Sequence, residues 1–231
     1  MDNDLQWYQK RKLAKNKSIS NIHLKEFFET RIKILSPFAP FICEEIWEIM
    51  GNHSFISLAP WPESDDSKIY LKTEDNERLI QDTIIDINKI TKVTKMIPKK
   101  IVIYTSSSMK YILYKKILNR IQSQSTANFG VLMKEFVNDN EIKDFVKQNP
   151  DLVKKMIDDI LSESVEVRRR RTKIDSFDEL IPLQDARSLL ISEFGNDQIE
   201  VNIFSEDSSD KYDPKQKSKY ARPFKPAIFI E

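Results

Sequence analysis

Apolar side chains recur at intervals of three and four residues along the first part of the chain, a spacing that indicates amphipathic helices. The stretch SISNIHLKEFFETRIKIL predicts one such helix, for which either Ser20 or Asn21 supplies a polar cap. Pro37 should end that helix, and Pro40 should open the next one, where its missing N–H carries no cost. The predicted buried face of this second helix consists of Ile42, Ile46, Trp47 and Met50.

Glycine and proline mark the end of this helical pair. Gly51 is a suitable residue to end the second helix. The segment SLAPWPESDDSK then follows as an extended, proline-held stretch, and Trp61 is predicted to pack back on the helices. The pattern therefore predicts an αα-hairpin with a stiff proline turn and an extended exit.

Beyond about residue 75 the pattern changes to a mixture of helices and short strands. A helix is predicted over Glu77–Met96, with Ile80, Ile84 and Ile87 on its apolar side and Pro98 after its end. The β-branched run KKIVIYT predicts a strand, and MKYILYKKILNRIQ predicts the helix that follows it. This order of elements is typical of an α/β domain.

The last third of the chain continues this mixture. NPDLVKKMIDDILSE and PLQDARSLLISEFG predict two helices, and QIEVNIF and PAIFIE predict the final strands. The apolar face of the first of these helices consists of Leu152, Val153, Met156, Ile157, Ile160 and Leu161. The predicted fold class is therefore α+β and mostly helical, with a helical bundle over residues 1–75, a connecting helix over 76–97 and a small α/β domain over 98–231.

Composition narrows the functional classes. Of 231 residues, 40% are apolar and 32% are charged, which is ordinary for a folded soluble protein. A single cysteine and two histidines argue for a reducing compartment and against a zinc site. No run reaches the roughly 20 apolar residues of a membrane helix, and the N-terminal residues lack an apolar core of signal length, so the expected location is cytoplasmic.

The residues that could support catalysis do not form a recognisable site. With glycines only at positions 51, 130 and 195, neither of the common glycine-rich nucleotide-binding loops is possible. Cys43 lies beside Ile42 on a predicted helix, where a small buried apolar residue is the better interpretation than a nucleophile. We therefore predict no catalytic residue, no metal ligand and no cofactor in this chain.

The distribution of charge gives the clearest functional signal. The formal net charge is only +1, yet no acidic residue occurs between Ile87 and Lys134, a stretch with ten lysines and arginines. At its start, basic residues recur every three or four positions, which predicts a basic ribbon on the helix opposite the isoleucine face. Two further basic clusters are VRRRRTK and the tail KYDPKQKSKYARPFKPAIFIE, where lysine and arginine alternate with Tyr220 and Phe224. Each cluster alone is equally consistent with a solvated surface, but the three together favour RNA binding.

The motifs that open the chain resemble a known family. LSPFAPFICEEIWEIMG followed by SLAPWPE is similar to the last helices of the anticodon-binding bundle in class I aminoacyl-tRNA synthetases of the leucyl, isoleucyl and valyl group. IPKKIVIYTSSSMKY and YDPKQKSKYARPFKPAIFIE resemble the C-terminal domain of archaeal and eukaryotic-type leucyl-tRNA synthetases, whereas valyl enzymes would be expected to continue into a coiled coil. The resemblance extends from Trp7 to Glu231.

The resemblance implies that this chain binds tRNA and that a different portion of the enzyme carries out catalysis. The catalytic and editing domains of the family have no counterpart in these 231 residues, so ATP and leucine would bind that missing portion and this chain would be inactive alone. The implied partners are tRNA, in particular tRNA(Leu), and the catalytic portion of the same enzyme or a second subunit, with no membrane. The bundle would face the inner corner of the tRNA, and the tail would lie near its long variable arm.

The clusters and the resemblance together define a predicted RNA-binding set. It consists of Lys89, Lys92, Lys95, Lys99, Lys100, Arg168, Arg169, Arg170, Arg171, Lys219, Arg222, Lys225, Ile228, Phe229, Ile230 and Glu231. Two alternatives stay open: a stand-alone protein-interaction module derived from a synthetase, and a fragment of a valyl or isoleucyl enzyme.

Overall fold

The computed structural model describes residues 2–123, 129–174, 177–195 and 199–231. The chain divides into two compact units, Met1–Ile69 and Tyr70–Glu231. The division falls six residues before the end of the predicted bundle at residue 75, and the predicted connecting helix is counted with the second unit. The predicted class, mostly helical α+β with a small sheet, is confirmed.

The first unit is helical. Its helices are α1 (Asp2–Leu13), α2 (Asn21–Leu35) and α3 (Pro40–Ile49), followed by short 3-10 helices at Ile56–Leu58 and Asp66–Lys68. Ser20 caps α2, as predicted, because its Oγ accepts a hydrogen bond from the backbone N–H of His23 at 3.4 Å. Pro40 occupies the start of α3, and Gly51 follows its end with a φ of 87°, which confirms both predictions.

The core of the first unit is small and differs in part from the predicted one. Cys43 and Trp47, one turn apart on α3, are buried against Ile32 of α2 and Ile56. Ile42 is exposed instead, because adjacent helix positions point about 100° apart and the inward face is set by Cys43. Burial raises the pKa of the Cys43 thiol, in keeping with its interpretation as a small core residue.

The predicted packing of Trp61 against the helices is wrong. Its side chain is 60% exposed, whereas Ile56 fills the corresponding place in the core. The 3-10 helix that carries Ile56 is tied to α3, since the Ile56 N–H donates to Glu44 Oε2 at 2.9 Å. Once Ile56 is fixed there, the prolines on either side of Trp61 hold the chain extended and direct it past the core.

The second unit contains a three-stranded sheet and several helices. Its helices are α4 (Leu71–Thr94), α5 (Ser108–Ser123), α6 (Phe129–Val137), α7 (Lys143–Gln148), α8 (Pro150–Ser162), α9 (Val165–Thr172), α10 (Leu180–Asp185) and α11 (Arg187–Phe194). Its strands are β1 (Lys100–Thr105), β2 (Glu200–Ser205) and β3 (Ala227–Ile230), and a 3-10 helix spans Ser218–Tyr220. Both predicted final strands are confirmed, although Gln198, the first residue of QIEVNIF, lies outside the described residues.

The central strand of the sheet is β1, and the strand order is β2-β1-β3. β2 runs parallel to β1, with Ile101 opposite Val201, and β3 runs antiparallel to it, with Ile101 opposite Ile230. One face of β1 contributes Val102 and Tyr104 to a cluster with Ala221 and Phe229. Because side chains alternate along a strand, Ile101 and Ile103 are buried on the opposite face.

A separate helical core lies within the second unit. α5 contributes Leu113, Ile117 and Leu118, and α8 contributes four residues of its predicted apolar face, namely Val153, Met156, Ile157 and Ile160. Leu161 is exposed, and the helix predicted over PLQDARSLLISEFG is divided in two, because the buried Ala186 has non-helical dihedral angles. No helix in the part of the chain that the structure describes is long and apolar enough to cross a membrane.

Candidate nucleic-acid interface

The predicted basic ribbon on α4 is shorter than its sequence spacing suggested. Lys89 and Lys92 lie exposed on the helix, and Lys89 forms an ion pair with Asp86 at 2.9 Å. The helix ends at Thr94, and Lys95 takes a left-handed conformation with a φ of 54°. Lys95 and Lys99 are exposed, but they lie beyond the helix and do not extend its helical row.

Two of the three predicted basic clusters meet in one groove of the second unit. The groove has a volume of about 490 Å³ and lies between α4 and the tail, so we call it the α4–tail groove. Its charged lining residues are Asp82, Asp86, Lys89, Lys217, Arg222 and Lys225, and its aromatic ones are Tyr220 and Phe224. Four cations against two carboxylates give this lining a net positive charge, which favours an anionic ligand.

Arg222 and Lys225 are held at the ends of a tight turn. The N–H of each donates to the carbonyl of the other, at 3.0 Å from Arg222 and 2.8 Å from Lys225. Both side chains pair with Asp159 of α8, at 2.7 Å for Arg222 Nε and 2.5 Å for Lys225 Nζ. Lys225 is still 45% exposed, so an incoming phosphate can share it with Asp159.

Phe224, one of the two aromatic residues that line the groove, anchors this turn. Its backbone has a φ of 62°, a left-handed conformation that a bulky residue rarely adopts. Its ring packs 4.5 Å from the ring of Phe177, and the guanidinium carbon of Arg171 lies 3.5 Å from its centroid. The ring is therefore already stacked within the protein and does not present a free face to a base.

A buried carboxylate holds the same turn from within. Glu179 is 1% exposed and accepts hydrogen bonds from the N–H groups of Phe224 and Ser106. Burial raises the pKa of the Glu179 carboxyl to about 7, while those hydrogen bonds, the neighbouring Tyr111 hydroxyl and the charge of Arg171 partly oppose the increase. Glu179 thus links the end of β1 to the tail turn that presents Arg222 and Lys225.

Most of the third predicted cluster, Arg168 to Arg171, has an internal role. Arg168 Nη1 donates to the carbonyls of Ile160, Leu161 and Glu163 at 3.0 to 3.2 Å, which satisfies the end of α8. Four consecutive residues on a helix point in four directions about 100° apart, so some of them must face the protein. Of these four arginines, Arg169 is exposed, Arg168 and Arg170 are partly buried, and Arg171 is buried.

The two arginines at the end of the cluster neutralise a buried acid. Arg170 pairs with Asp75 at 2.5 Å and with Glu74 at 3.2 Å, and Arg171 Nε lies 3.8 Å from Asp75. Arg171 is 7% exposed and also pairs with Glu163. A phosphate cannot reach Arg171 in this conformation, so its place in the predicted RNA-binding set is corrected to a structural one.

The final strand supplies partly buried and buried members of the predicted set. Phe229 is buried against Val102 and Tyr104, so it cannot stack on a base. Ile228 lines the α4–tail groove, while Ile230 is partly buried in the sheet. The carbonyl of Glu231 accepts from the N–H groups of Lys99 and Lys100 at 2.7 and 2.8 Å, which fixes the tail beside β1.

Lys100 is engaged at the edge of the sheet. Its ammonium lies 3.2 Å from Glu200 and 4.2 Å from the centroid of the Tyr212 ring. The Tyr212 hydroxyl lies 3.2 Å from a carboxylate oxygen of Glu231. The side chain of Lys100 is 23% exposed, so it is less available to RNA than Lys99 or Lys219.

Lys110 is a functional candidate that the sequence did not single out. It lies on α5 within the acid-free stretch, where it was counted as part of the basic surface. Instead it is 3% exposed and pairs with Glu206 at 2.8 Å. Helical periodicity alone would have predicted the burial of Lys110. This residue shares one face of α5 with Leu113, Ile117 and Ile121.

The first part of the chain matches a known protein family. Residues 1–106 match the family model described as the anticodon-binding domain of tRNA ligases. The match covers the first unit, α4 and β1. This part of the chain is thus similar to the anticodon-binding domain of tRNA ligases.

Three relatives to which the chain is similar are leucine--tRNA ligases. The chain is 36% identical to leucine--tRNA ligase of Methanococcoides burtonii over 231 residues, which is 99% of this chain and 23% of the relative. It is 34% identical to the enzyme of Methanosarcina acetivorans over 229 residues (99% and 22%), and 32% identical to that of Pyrococcus abyssi over 230 residues (99% and 21%). The chain spans less than a quarter of the length of these relatives. The predicted resemblance to the C-terminal portion of leucyl-tRNA synthetases is confirmed.

Proposed function

We propose that this chain is the tRNA-binding part of a leucine--tRNA ligase. In this role it holds tRNA so that a catalytic portion, in the same enzyme or in a second subunit, can attach the amino acid. The observation that carries the proposal is the similarity to leucine--tRNA ligases along nearly the whole chain. The cationic α4–tail groove supports it, since lysines and arginines on a folded surface are the usual contacts to a phosphate backbone.

The proposed substrate is tRNA(Leu), held by its body and its long variable arm. Contacts from lysine and arginine to phosphates fix orientation without reading sequence. Discrimination must then come from the shape of the arm and from the few unpaired bases at its tip, which proteins read by stacking and hydrogen bonding. The tail is suited to such a task because β3 and the Arg222–Lys225 turn are held firmly by the sheet and by Asp159.

A titration with three RNAs tests this proposal. The chain is titrated with tRNA(Leu), with the same tRNA lacking its variable arm, and with tRNA(Val), each at two salt concentrations. We expect salt-sensitive binding of tRNA(Leu) that weakens when the arm is deleted. Equal and weak binding of all three RNAs would contradict the proposal and would favour a protein-interaction module.

A double variant tests whether the α4–tail groove is the contact surface. Replacing Lys89 and Lys217 by alanine removes one cation from each side of the groove. If each meets one phosphate, the slope of log affinity against log salt should fall by about 1.5. Lys147→Ala/Lys154→Ala, which changes two exposed lysines that do not line the groove, is the matched control. An unchanged slope in the groove variant would exclude this surface.

A further inference from the structure

Tyr220 presents an aromatic ring to solvent at the edge of the α4–tail groove. Its side chain belongs to the 3-10 helix Ser218–Tyr220 and is 54% exposed. Lysines flank the ring, with Lys219 Nζ 5.3 Å and Lys217 Nζ 6.0 Å from its centroid. An exposed ring with two ammonium groups close to it thus lines a groove of net positive charge.

The backbone on both sides of Tyr220 is fixed by a buried cation. Lys110 Nζ donates to the carbonyl of Lys219 at 2.8 Å and to that of Ala221 at 2.7 Å. Because Lys110 also pairs with the Glu206 carboxylate, its ammonium is held in place beneath the turn. The two residues that adjoin Tyr220 are therefore clamped to α5.

The start of the turn is fixed as well. The Asp213 carboxylate accepts hydrogen bonds from the N–H groups of Lys217 and Ser218 at 2.7 and 2.9 Å. Ser218 and Ala221 are buried, so the chain enters and leaves the turn through the protein interior. The ring of Tyr220 is thus exposed on a rigid support, and a ligand that stacks on it does not have to order the backbone first.

The Tyr220 ring and its two neighbouring lysines are chemically suited to bind an unpaired nucleotide. A nucleobase gains about 1–3 kcal/mol by stacking on a protein aromatic ring, whichever base it is. The phosphates that flank such a base need cations a few ångströms from the ring, which Lys217 and Lys219 provide. A fully paired stem could use the lysines but not the ring, because its bases are stacked on one another.

We propose that Tyr220 is a stacking platform for one unpaired nucleobase of the bound RNA, whose flanking phosphates are held by Lys217 and Lys219. This inference rests on the proposed function, since it specifies a contact within the proposed tRNA-binding surface. Lys110 is a positioning residue for this contact and does not touch the RNA.

Binding of two RNAs to three variants tests the platform. The variants Tyr220→Ala, Tyr220→Phe and Lys217→Ala/Lys219→Ala are titrated with a tRNA(Leu) transcript and with a fully paired RNA duplex of matched charge. Tyr220→Ala should weaken tRNA binding about 5- to 150-fold with an unchanged salt slope, because stacking involves no counterion. Tyr220→Phe should bind like the unchanged chain, and the double lysine variant should lower the slope for both RNAs.

The outcomes separate this inference from the proposed function. If the unchanged chain binds neither RNA, the proposed function fails, and the platform fails with it. If the chain binds tRNA and Tyr220→Ala binds it equally well, the platform alone is excluded. A lower salt slope in Tyr220→Ala, or an equal loss of affinity for the paired duplex, would also exclude stacking. Thermal melts monitored by circular dichroism establish that each variant is folded.

Discussion

Glu179 illustrates how a single buried group can link tail geometry to pH. Tyr111 and Arg171 are the titratable or charged side chains that act on its carboxyl, and its hydrogen bonds hold Ser106 and Phe224. Its pKa of about 7 in the folded chain compares with about 4.3 for an unperturbed glutamate. The folded state therefore keeps a proton that the unfolded chain releases between these two values.

This difference predicts a pH-dependent stability. The stabilising effect of the protonated Glu179 is complete below pH 4.3 and is lost as the pH rises through 7, by roughly 4 kcal/mol in all. Glu179→Gln cannot titrate, so its free energy of unfolding should not share that decrease. Urea unfolding followed by circular dichroism at pH 5, 6, 7 and 8 measures the difference.

The matched control for this prediction is Glu166→Gln, at an exposed position on α9. The free energy of unfolding of this control should depend on pH in the same way as that of the unchanged chain. Parallel profiles for the unchanged chain and Glu179→Gln would show that the carboxyl at position 179 does not titrate in this range.

At the scale of elements, two glycines mark helix ends for different physical reasons. Gly51 follows α3 with a φ of 87°, and an added Cβ would meet nothing within 4 Å. Gly195 follows α11, and a Cβ there would lie 2.4 Å from the Cβ and Cγ2 of Ile199. The first glycine is required by its conformation and the second by lack of space.

The corresponding alanine variants should therefore lose stability by different routes. Gly51→Ala should lower the free energy of unfolding by about 1 kcal/mol, through strain in a left-handed conformation. Gly195→Ala should lower it by about 1–3 kcal/mol, because the buried Ile199 has to move.

Different signals report on the two glycine variants. Trp7, Trp47 and Trp61 all belong to the first unit, so tryptophan fluorescence follows Gly51→Ala. The helices of the second unit dominate the circular dichroism signal, which follows Gly195→Ala. A variant at either position as stable as the unchanged chain would contradict the reason given for that glycine.

Elements were predictable from sequence where local signals were strong. Ser20, Pro40 and Gly51 fixed helix ends through their own backbone chemistry, and the β-branched run around Ile101 predicted the central strand. The division at Ala186 and the exposure of Trp61 depend on tertiary packing, which a local pattern does not contain.

The candidate site was predictable in composition and less so in geometry. Sequence located the basic clusters, and the structure brings Lys89 and Lys225 into one groove. The sequence alone could not distinguish the exposed Arg169 from the buried Arg171, because that distinction depends on Asp75, about 95 residues earlier in the chain. Charge identifies candidates, and long-range pairing decides which of them face solvent.

At the scale of the whole molecule, positive and negative charges nearly cancel, so any excess of cations is local. The formal net charge of +1 gives little long-range attraction to a nucleic acid. The proposed RNA binding would therefore arise where cations outnumber carboxylates, as they do along the α4–tail groove. Several of those cations are already paired within the protein, such as Arg222 with Asp159, so fewer are free to replace counterions than the sequence suggests.

The strand order also affects how the chain can fold while it is being synthesised. Strand β1 is central, yet its partner in β2 lies 100 residues later, with Lys100 opposite Glu200, and β3 follows later still. A ribosome that adds about 5–20 residues per second needs roughly 5–20 s to cover that interval. During this time the apolar run of β1 has both edges unpaired, so the nascent chain exposes a short, strongly apolar segment to which a chaperone can bind until β2 and β3 emerge.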